Sequence, residues 1–223
     1  MDEYFLPPHV HCCRRGTAFV FLDLKQDDYS MVAGPAAAAL SALIDAKAPS
    51  HTHELRELEQ AGLLTRDSTA GRRLVTTETD VALEPLLDLD TTAVSARPWD
   101  YWNFLLACTT AKARLRWQRI ENTVGAVAKR KARHSNHQTP DVERARQLTA
   151  VFQQLRSLFP ANRLCLFDSL ALLEFLARYD IYPTWVFAVR LEPWGAHCWI
   201  QEGPFAFNED VEQTASYTPI MAV

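Results

Sequence analysis

The sequence predicts an α+β protein built in two parts, and three observations carry that prediction. Runs rich in aromatic and branched residues, broken by turn chemistry, open the chain between residues 9 and 32, and helical patterns follow them to about residue 64. Residues 99–179 are helical in pattern almost throughout and end in a segment that is apolar nearly all round. Residues 185–208 then return to strand-forming sequence with a Gly-Pro turn inside it. The division expected is an N-terminal module at 1–66, a connector at 67–98 and a larger domain at 99–223.

Each element has a local reason. His9-Val10-His11-Cys12-Cys13 reads as a short strand, and residues 17–24 as a stronger one. Lys25-Gln26-Asp27-Asp28 is turn chemistry, after which Tyr29-Ser30-Met31-Val32 forms a third strand. Residues 36–46 follow as a helix with Pro35 near its first turn, where the missing N–H costs little. Residues 50–60 read as another helix, stopped by Gly62. The connector is polar and non-periodic except for a short amphipathic stretch at 83–89. From 99 to 133 the chain predicts helix, with an apolar stripe at Trp102, Leu105, Leu106, Thr109 and Ala113. Asp141 opens a further helix carrying Leu148, Val151, Phe152 and Leu155, which ends before Pro160. Residues 164–179 predict a buried central helix. Residues 185–191, 196–201 and 205–208 read as strands, the last two joined at Glu202-Gly203-Pro204.

Composition narrows the functional classes. The chain has 223 residues, 48% of them hydrophobic and 22% charged, which is enough to bury a core and stay soluble. A net charge of −4 carries no general affinity for nucleic acid or membrane. No apolar run reaches the roughly 18 residues of a membrane span. The opening residues lack the basic and apolar regions of a secretory signal, so a cytoplasmic location is expected. The five cysteines (Cys12, Cys13, Cys108, Cys165 and Cys198) are odd in number and form no Cys-x-x-Cys pair. That argues against a disulfide framework and a four-thiolate zinc site, and leaves each thiol as a core residue or a reactive one.

Cys165 has the position of a reactive thiol. It falls in the first turn of the predicted buried helix, where the helix dipole and unpaired backbone N–H groups favour the thiolate. The same N–H groups are suited to stabilise an oxyanion. His197 lies in a predicted strand, with Trp199 two positions on. A cysteine opening a central helix and a histidine on a sheet packed against it is the layout of papain-like and transglutaminase-like enzymes. A third group is expected to orient the imidazole. With Gly203 left-handed in a three-residue hairpin, Ile200 pairs with Pro204 and His197 with Phe207, and Glu209 lies diagonal to His197 on its face. A two-residue turn pairs His197 with Asn208 instead and brings Asp210 to that face. Pro204 leaves both registers open, with Glu209 the expected third member and Asp210 the runner-up.

Several segments together resemble a known family. Asn162-Arg163-Leu164-Cys165-Leu166-Phe167-Asp168-Ser169-Leu170-Ala171-Leu172, Ala196-His197-Cys198-Trp199-Ile200-Gln201, Phe207-Asn208-Glu209 and Tyr217-Thr218-Pro219-Ile220 resemble the lasso-peptide biosynthesis B proteins. The resemblance spans about residues 100–223. It implies a transglutaminase-like cysteine protease that removes the leader from a ribosomally made precursor, with a Cys-His-Asp triad. Cys165 and His197 match that triad, and the step at which the family carries Asn-Asp reads Asn208-Glu209. Residues 5–64, with the closing Leu58-x-x-Ala61-Gly62-Leu63-Leu64, resemble a precursor-peptide recognition element, a winged-helix-like module of three strands followed by helices. Such a module binds a leader as an added strand on its third strand, which implies Asp28, Tyr29, Ser30, Met31 and Val32 as the binding residues. The resemblance further implies two partners, the precursor peptide and an ATP-using, asparagine-synthetase-like lasso cyclase, with no nucleic acid or membrane. No cofactor is required for the chemistry. ATP dependence is described for some members, and since no Gly-x-x-x-x-Gly-Lys-[Ser/Thr] loop occurs, a nucleotide effect needs another origin.

Other readings stay open beside this one. The second domain is alternatively a transglutaminase-like acyltransferase, in which an amine competes with water, or a non-catalytic peptide chaperone with no thiol reactivity. The N-terminal unit is alternatively a DNA-binding winged helix, although residues 52–60 carry three Glu and one Arg, a poor surface for phosphates. His9, His11 and Cys13 alternate onto one strand face and read as plain strand rather than zinc ligands. Residues 112–146 hold ten Lys/Arg against three Asp/Glu and read as a solvated helix face, with a docking surface as the alternative. Cys198 reads as a core thiol pointing away from the His197 face.

Overall fold

The structure is a computed structural model that describes residues 3–223 except 46, 48–51, 76, 78, 80–81, 88–93, 135–140 and 163, and only the backbone of Thr52. The fold is mixed α+β, with seven α-helices and several sheets among the described residues. The chain divides into two compact units. One comprises Met1–Thr79, Ala188–Gly195 and Thr218–Met221, and the other Asp80–Phe187, Ala196–Tyr217 and Ala222–Val223.

In the first unit β1 (Phe5–Leu6) precedes a meander of β2 (Val10–Arg15), β3 (Ala18–Asp23) and β4 (Asp28–Val32), followed by α1 (Gly34–Ile44), α2 (Thr52–Gln60) and β5 (Arg72–Arg73). The sheet order is β2-β3-β4, antiparallel, with Phe21 opposite both Cys12 and Ser30. The turn into β4 is held by the Asp23 carboxylate, which accepts from the backbone N–H of Lys25 (2.8 Å) and Gln26 (3.1 Å). Alternation along the strands sends Cys12, Phe19, Phe21 and Val32 to one face, where they join Leu40 of α1 and Leu55 and Leu58 of α2 in a buried cluster. Gly62 follows α2 at φ +77°, a left-handed position that ends the helix. Residues 50 and 51 of the second predicted helix and residue 46 at the end of the first lie outside the described residues.

The rest of the chain forms β6 (Glu84–Pro85), α3 (Pro98–Trp117), α4 (Ile120–His134), α5 (Val142–Arg156), α6 (Cys165–Leu176), β7 (Thr184–Leu191), β8 (Trp194–Glu202), β9 (Phe205–Ala206), α7 (Val211–Ala215) and β10 (Thr218–Ala222), of which Ala188–Leu191, Trp194–Gly195 and Thr218–Met221 count with the first unit and the remainder with the second. The strands form one sheet in the order β10-β7-β8-β9-β6. Helix α6 is its central helix: from Phe167 to Leu176 every residue except Asp168 is buried. Phe104 of α3 and Phe175 of α6 pack on either side of Phe152 of α5, at ring distances of 5.4 and 5.6 Å. The buried Glu174 of α6 pairs with Arg114 of α3 (3.3 Å) and Arg130 of α4 (2.7 Å), and Lys131 donates to the Thr184 hydroxyl (2.5 Å). Three cations of the basic stretch, Arg114, Arg130 and Lys131, therefore turn inward, while Lys129 and Arg133 stay exposed.

Four sequence expectations are corrected. The helix over 99–133 breaks at Gln118, which is extended (φ −116°, ψ 150°) with no Pro or Gly nearby to announce it. The apolar stripe read from the spacing of α3 is not its buried face. Trp102, Leu105 and Thr109 are exposed, and Asn103, Phe104, Ala107, Cys108 and Ala111 are buried. Apolar residues occur on both faces of this helix, so periodicity alone left its phase undetermined. The connector is partly structured: Arg72–Arg73 pairs with β1, and Glu84–Pro85 adds to β9 in parallel as an extended segment. The 88–89 end of the predicted amphipathic stretch lies outside the described residues. Finally, the β8–β9 hairpin pairs Gln201 with Ala206 and Glu202 with Phe205, leaving Gly203-Pro204 as a two-residue loop. Gly203 does take positive φ (+53°), at the first loop position where such a turn calls for glycine.

Candidate active site

Cys165 is the first residue of α6, approached by Leu164 in an extended conformation (φ −126°, ψ 130°). The approach loop is fixed by a buried arginine that the sequence reading did not single out. Arg156, at the end of α5, donates from Nη1 to the Phe159 carbonyl (3.1 Å) and from Nη2 to those of Ala161 and Asn162 (both 3.2 Å). Its Nε pairs with the Asp168 carboxylate in the first turn of α6, and its guanidinium lies 5.0 Å from the centre of the Phe167 ring. One cation thus satisfies three loop carbonyls and ties that loop to the helix that carries the thiol. Nothing local marked it, since the last turn of α5, Gln153-Gln154-Leu155-Arg156, is mostly polar.

His197 lies on β8, and its imidazole sits between the Cys165 thiol and Glu209, to which it is hydrogen-bonded. His197 Nε2 and Glu209 Oε2 are 2.5 Å apart, so Nδ1 is the ring nitrogen left for Cys165. The imidazole side chain is 12% exposed and the Glu209 side chain 19%. Glu209 reaches this position by a route different from the expected ladder. After Ala206 the β9 strand ends, Phe207 N–H still donates to Ile200 O (2.8 Å), and the Asn208 side chain takes over. Asn208 Oδ1 accepts from Ile200 N–H (2.8 Å), and its Nδ2 donates to Ser169 Oγ on α6 (3.1 Å). That bracket holds the next residue, Glu209, beside the histidine. Asp210 is exposed, precedes α7 and gives its backbone N–H to Glu209 Oε1 (3.2 Å). The Tyr217 ring packs on His197 at 5.3 Å. A cavity of about 200 Å3 opens beside Glu209, bounded by Pro85, Leu87, Gln153 and Asn208.

The electrostatics follow from these contacts. The Cys165 thiol is pulled down to about 4, first by a hydrogen bond from the Cys198 thiol, against the opposing effect of burial, and then by its bond to His197. His197 is raised to about 9 by its hydrogen bonds to Cys165 and Glu209, which outweigh burial. Burial works to raise the Glu209 carboxyl, but its bonds to His197 and to the Asp210 N–H leave it lowered. Near neutral pH the resting form is therefore a thiolate–imidazolium pair with an ionised carboxylate behind it. Cys12, Cys13 and Cys108 are raised by burial to about 11, 12 and 12, the behaviour of inert thiols.

Cys198 is a buried core thiol, and its S–H donates to Ser169 Oγ of α6 (3.9 Å). In the first unit Asp28, Tyr29, Ser30, Met31 and Val32 form β4, at one edge of the sheet order, with Met31 64% exposed. Tyr29 packs edge-on against Trp194, rings 5.8 Å apart. His9 lies 3.9 Å from Asp23, and His11 Nδ1 faces the Arg72 guanidinium (3.5 Å). Among the described residues no group of three or more His, Cys, Asp or Glu converges as for a metal, and no helix is long and apolar enough to cross a membrane.

Neither a curated protein nor a solved structure matches the chain. A family model described as "Transglutaminase-like superfamily" matches residues 105–222, a span that contains Cys165, His197 and Glu209. More than half of the polypeptide lies within that match, and the chain belongs to the transglutaminase-like superfamily.

Proposed function

We propose that the protein is a cysteine protease that cleaves the leader from a ribosomally made precursor peptide during lasso-peptide maturation, with Cys165 as nucleophile, His197 as acid and base, and Glu209 as the group that orients His197. The observation that carries the reading is Cys165 at the start of a buried helix beside His197, which is itself hydrogen-bonded to Glu209, in a superfamily that includes cysteine proteases and acyltransferases. The Cys165 thiolate attacks the carbonyl at the end of the leader, and the helix N-terminus faces the developing oxyanion. The His197 imidazolium gives its proton to the leaving amine, and the thioester forms. Neutral His197 then takes a proton from water, whose oxygen attacks the thioester and releases Cys165 as thiolate. Glu209 fixes the ring so that Nδ1 faces sulfur throughout.

The leader is proposed to add to β4 as a fourth strand of the first unit, a winged-helix-like module. Support comes from the edge position of Asp28–Val32 and the exposure of Met31. Two proposals rest on the lasso-peptide resemblance: the freed core passes to an ATP-using cyclase, and the reaction takes place in the cytoplasm. Incubation with the precursor peptide encoded near the gene, with and without a primary amine, tests the reaction by mass spectrometry. Free leader acid in both samples is expected. Leader joined to the amine as the main product would assign acyl transfer instead, and intact precursor would remove both readings.

A further inference from the structure

The buried helix α6 carries two buried polar side chains, Ser169 (0% exposed) and Glu174. Glu174 is accounted for by its two arginines. A serine inside a helix ordinarily bonds back to the carbonyl four residues earlier or points to solvent. Among the described residues the Ser169 bonds all leave the helix instead. Its hydroxyl donates to the Cys198 carbonyl on β8 (3.2 Å) and accepts from Asn208 Nδ2 (3.1 Å) and from the Cys198 S–H (3.9 Å). A hydroxyl has one proton and two lone pairs, so its capacity is filled. The direction of the Asn208 bond is set independently. Ile200 N–H can only donate, so it holds Oδ1 on its own side (2.8 Å) and turns Nδ2 toward Ser169. Each partner adjoins a group of the site. Cys198 follows His197 on β8, Asn208 precedes Glu209, and Ser169 lies one helical turn after Cys165 on the same face of α6.

We infer that Ser169 is a positioning residue, whose hydroxyl fixes α6 against β8 and against the Asn208–Glu209 step, and so sets Cys165, His197 and Glu209 in register. The inference rests on the reading of those three as the catalytic groups. Ser169 acts through the backbone of Cys198 and the side chain of Asn208, one residue from the base and one from the orienting acid. Without the hydroxyl, the Cys198 carbonyl and Asn208 Nδ2 lose this partner, and the three segments can shift against one another. Such a shift loosens the contact between Cys165 and His197, which disfavours the thiolate and spoils the geometry of proton transfer. A misplacement of about 1 Å costs on the order of 100-fold in rate.

The test compares Ser169→Ala, Asn208→Ala and the double variant with the wild type, all as full-length protein, in two readouts. One is the pH midpoint of Cys165 alkylation by iodoacetamide, read on the Cys165 peptide by mass spectrometry. The other is kcat and KM for precursor cleavage. The charged groups of the site, His197, Glu209, Arg156 and Asp168, stay in place throughout. Ser169→Ala should raise the midpoint by about one unit. It should lower kcat by about 100-fold with KM near that of the wild type. The double variant should be no worse than the more severe single one, since the two residues act as a unit. Leu176→Ala, at a buried position at the far end of α6, removes packing without touching the hydroxyl. It should melt earlier, with midpoint and kcat unchanged. A Ser169→Ala midpoint and kcat that match the wild type overturn the inference. So does an equal shift in Leu176→Ala, because the cause would then be loosened packing, and so does additivity in the double variant. If Ser169→Ala does not fold, Asn208→Ala decides by the same two readouts, and wild-type values there overturn the inference. A wild-type midpoint in the ordinary thiol range, with no precursor cleavage, sinks the nucleophile reading instead, whatever the variants do.

Discussion

At the scale of single residues the account turns on which carboxylate meets His197. The three-residue hairpin that would bring Glu209 beside His197 by strand pairing does not form. The side chain arrives there because Asn208 leaves the strand and bonds to Ile200 and Ser169. A side chain standing in for the backbone ladder has no signature in strand periodicity. The Asn–acid step was legible only as part of a motif. Glu209→Gln should slow turnover by roughly 10^3-fold or more, because it removes the charge that supports the imidazolium, while Asp210→Asn should stay near wild type. The reverse order, measured on one peptide substrate, would move the third member to Asp210. The pH dependence has a definite sign. Activity needs thiolate and imidazolium together, so it should rise as Cys165 ionises near pH 4, hold a plateau, and fall as His197 loses its proton near pH 9. A rate profile centred on an ordinary thiol ionisation would contradict the ion pair.

At the scale of elements, α6 was the most legible part of the chain and α3 the least. A helix apolar all round can only be buried, whatever its phase, so the reading of 164–179 needed no choice of face. Helix α3 required that choice, and its exposed Trp102 and Leu105 compete in the pattern with its buried Phe104 and Ala107. The difference is measurable. Phe104→Ala should cost on the order of 3–5 kcal/mol in chemical unfolding. Trp102→Ala, at a side chain 56% exposed, should stay within about 0.5 kcal/mol. The Arg156 cluster belongs to this scale because it joins the end of α5, the loop to Asn162 and the first turn of α6. Its partners lie three to twelve residues away and none is hydrophobic periodicity, so no local pattern exposed it. Arg156→Met strands a carboxylate and three carbonyls. A loss of about 3 kcal/mol is expected, with slower Cys165 alkylation in the fraction that remains folded.

At the scale of the whole molecule, the account assigns recognition to the first unit and chemistry to the second. Met31→Pro, at the exposed edge of β4, removes a backbone donor from the row that an added strand would use. In the full-length protein it should weaken leader binding, read by calorimetry, and leave Cys165 alkylation unchanged. Unaltered binding would place recognition elsewhere, with the exposed cations of α3 and α4 next to be tested. The change from strand-rich to helix-rich sequence was legible, but the grouping of residues 188–195 and 218–221 with the first unit was not. The use of residues 72–73 and 84–85 as strands was not, since a two-residue strand is too short to show alternation. All of these readings depend on Cys165 being the nucleophile of peptide cleavage. The most direct test is the rate of precursor cleavage by Cys165→Ala beside the wild type, with circular dichroism to establish that the variant folds. The account predicts a folded protein whose cleavage rate falls by roughly 10^4-fold or more. Cleavage by Cys165→Ala at the wild-type rate would contradict it.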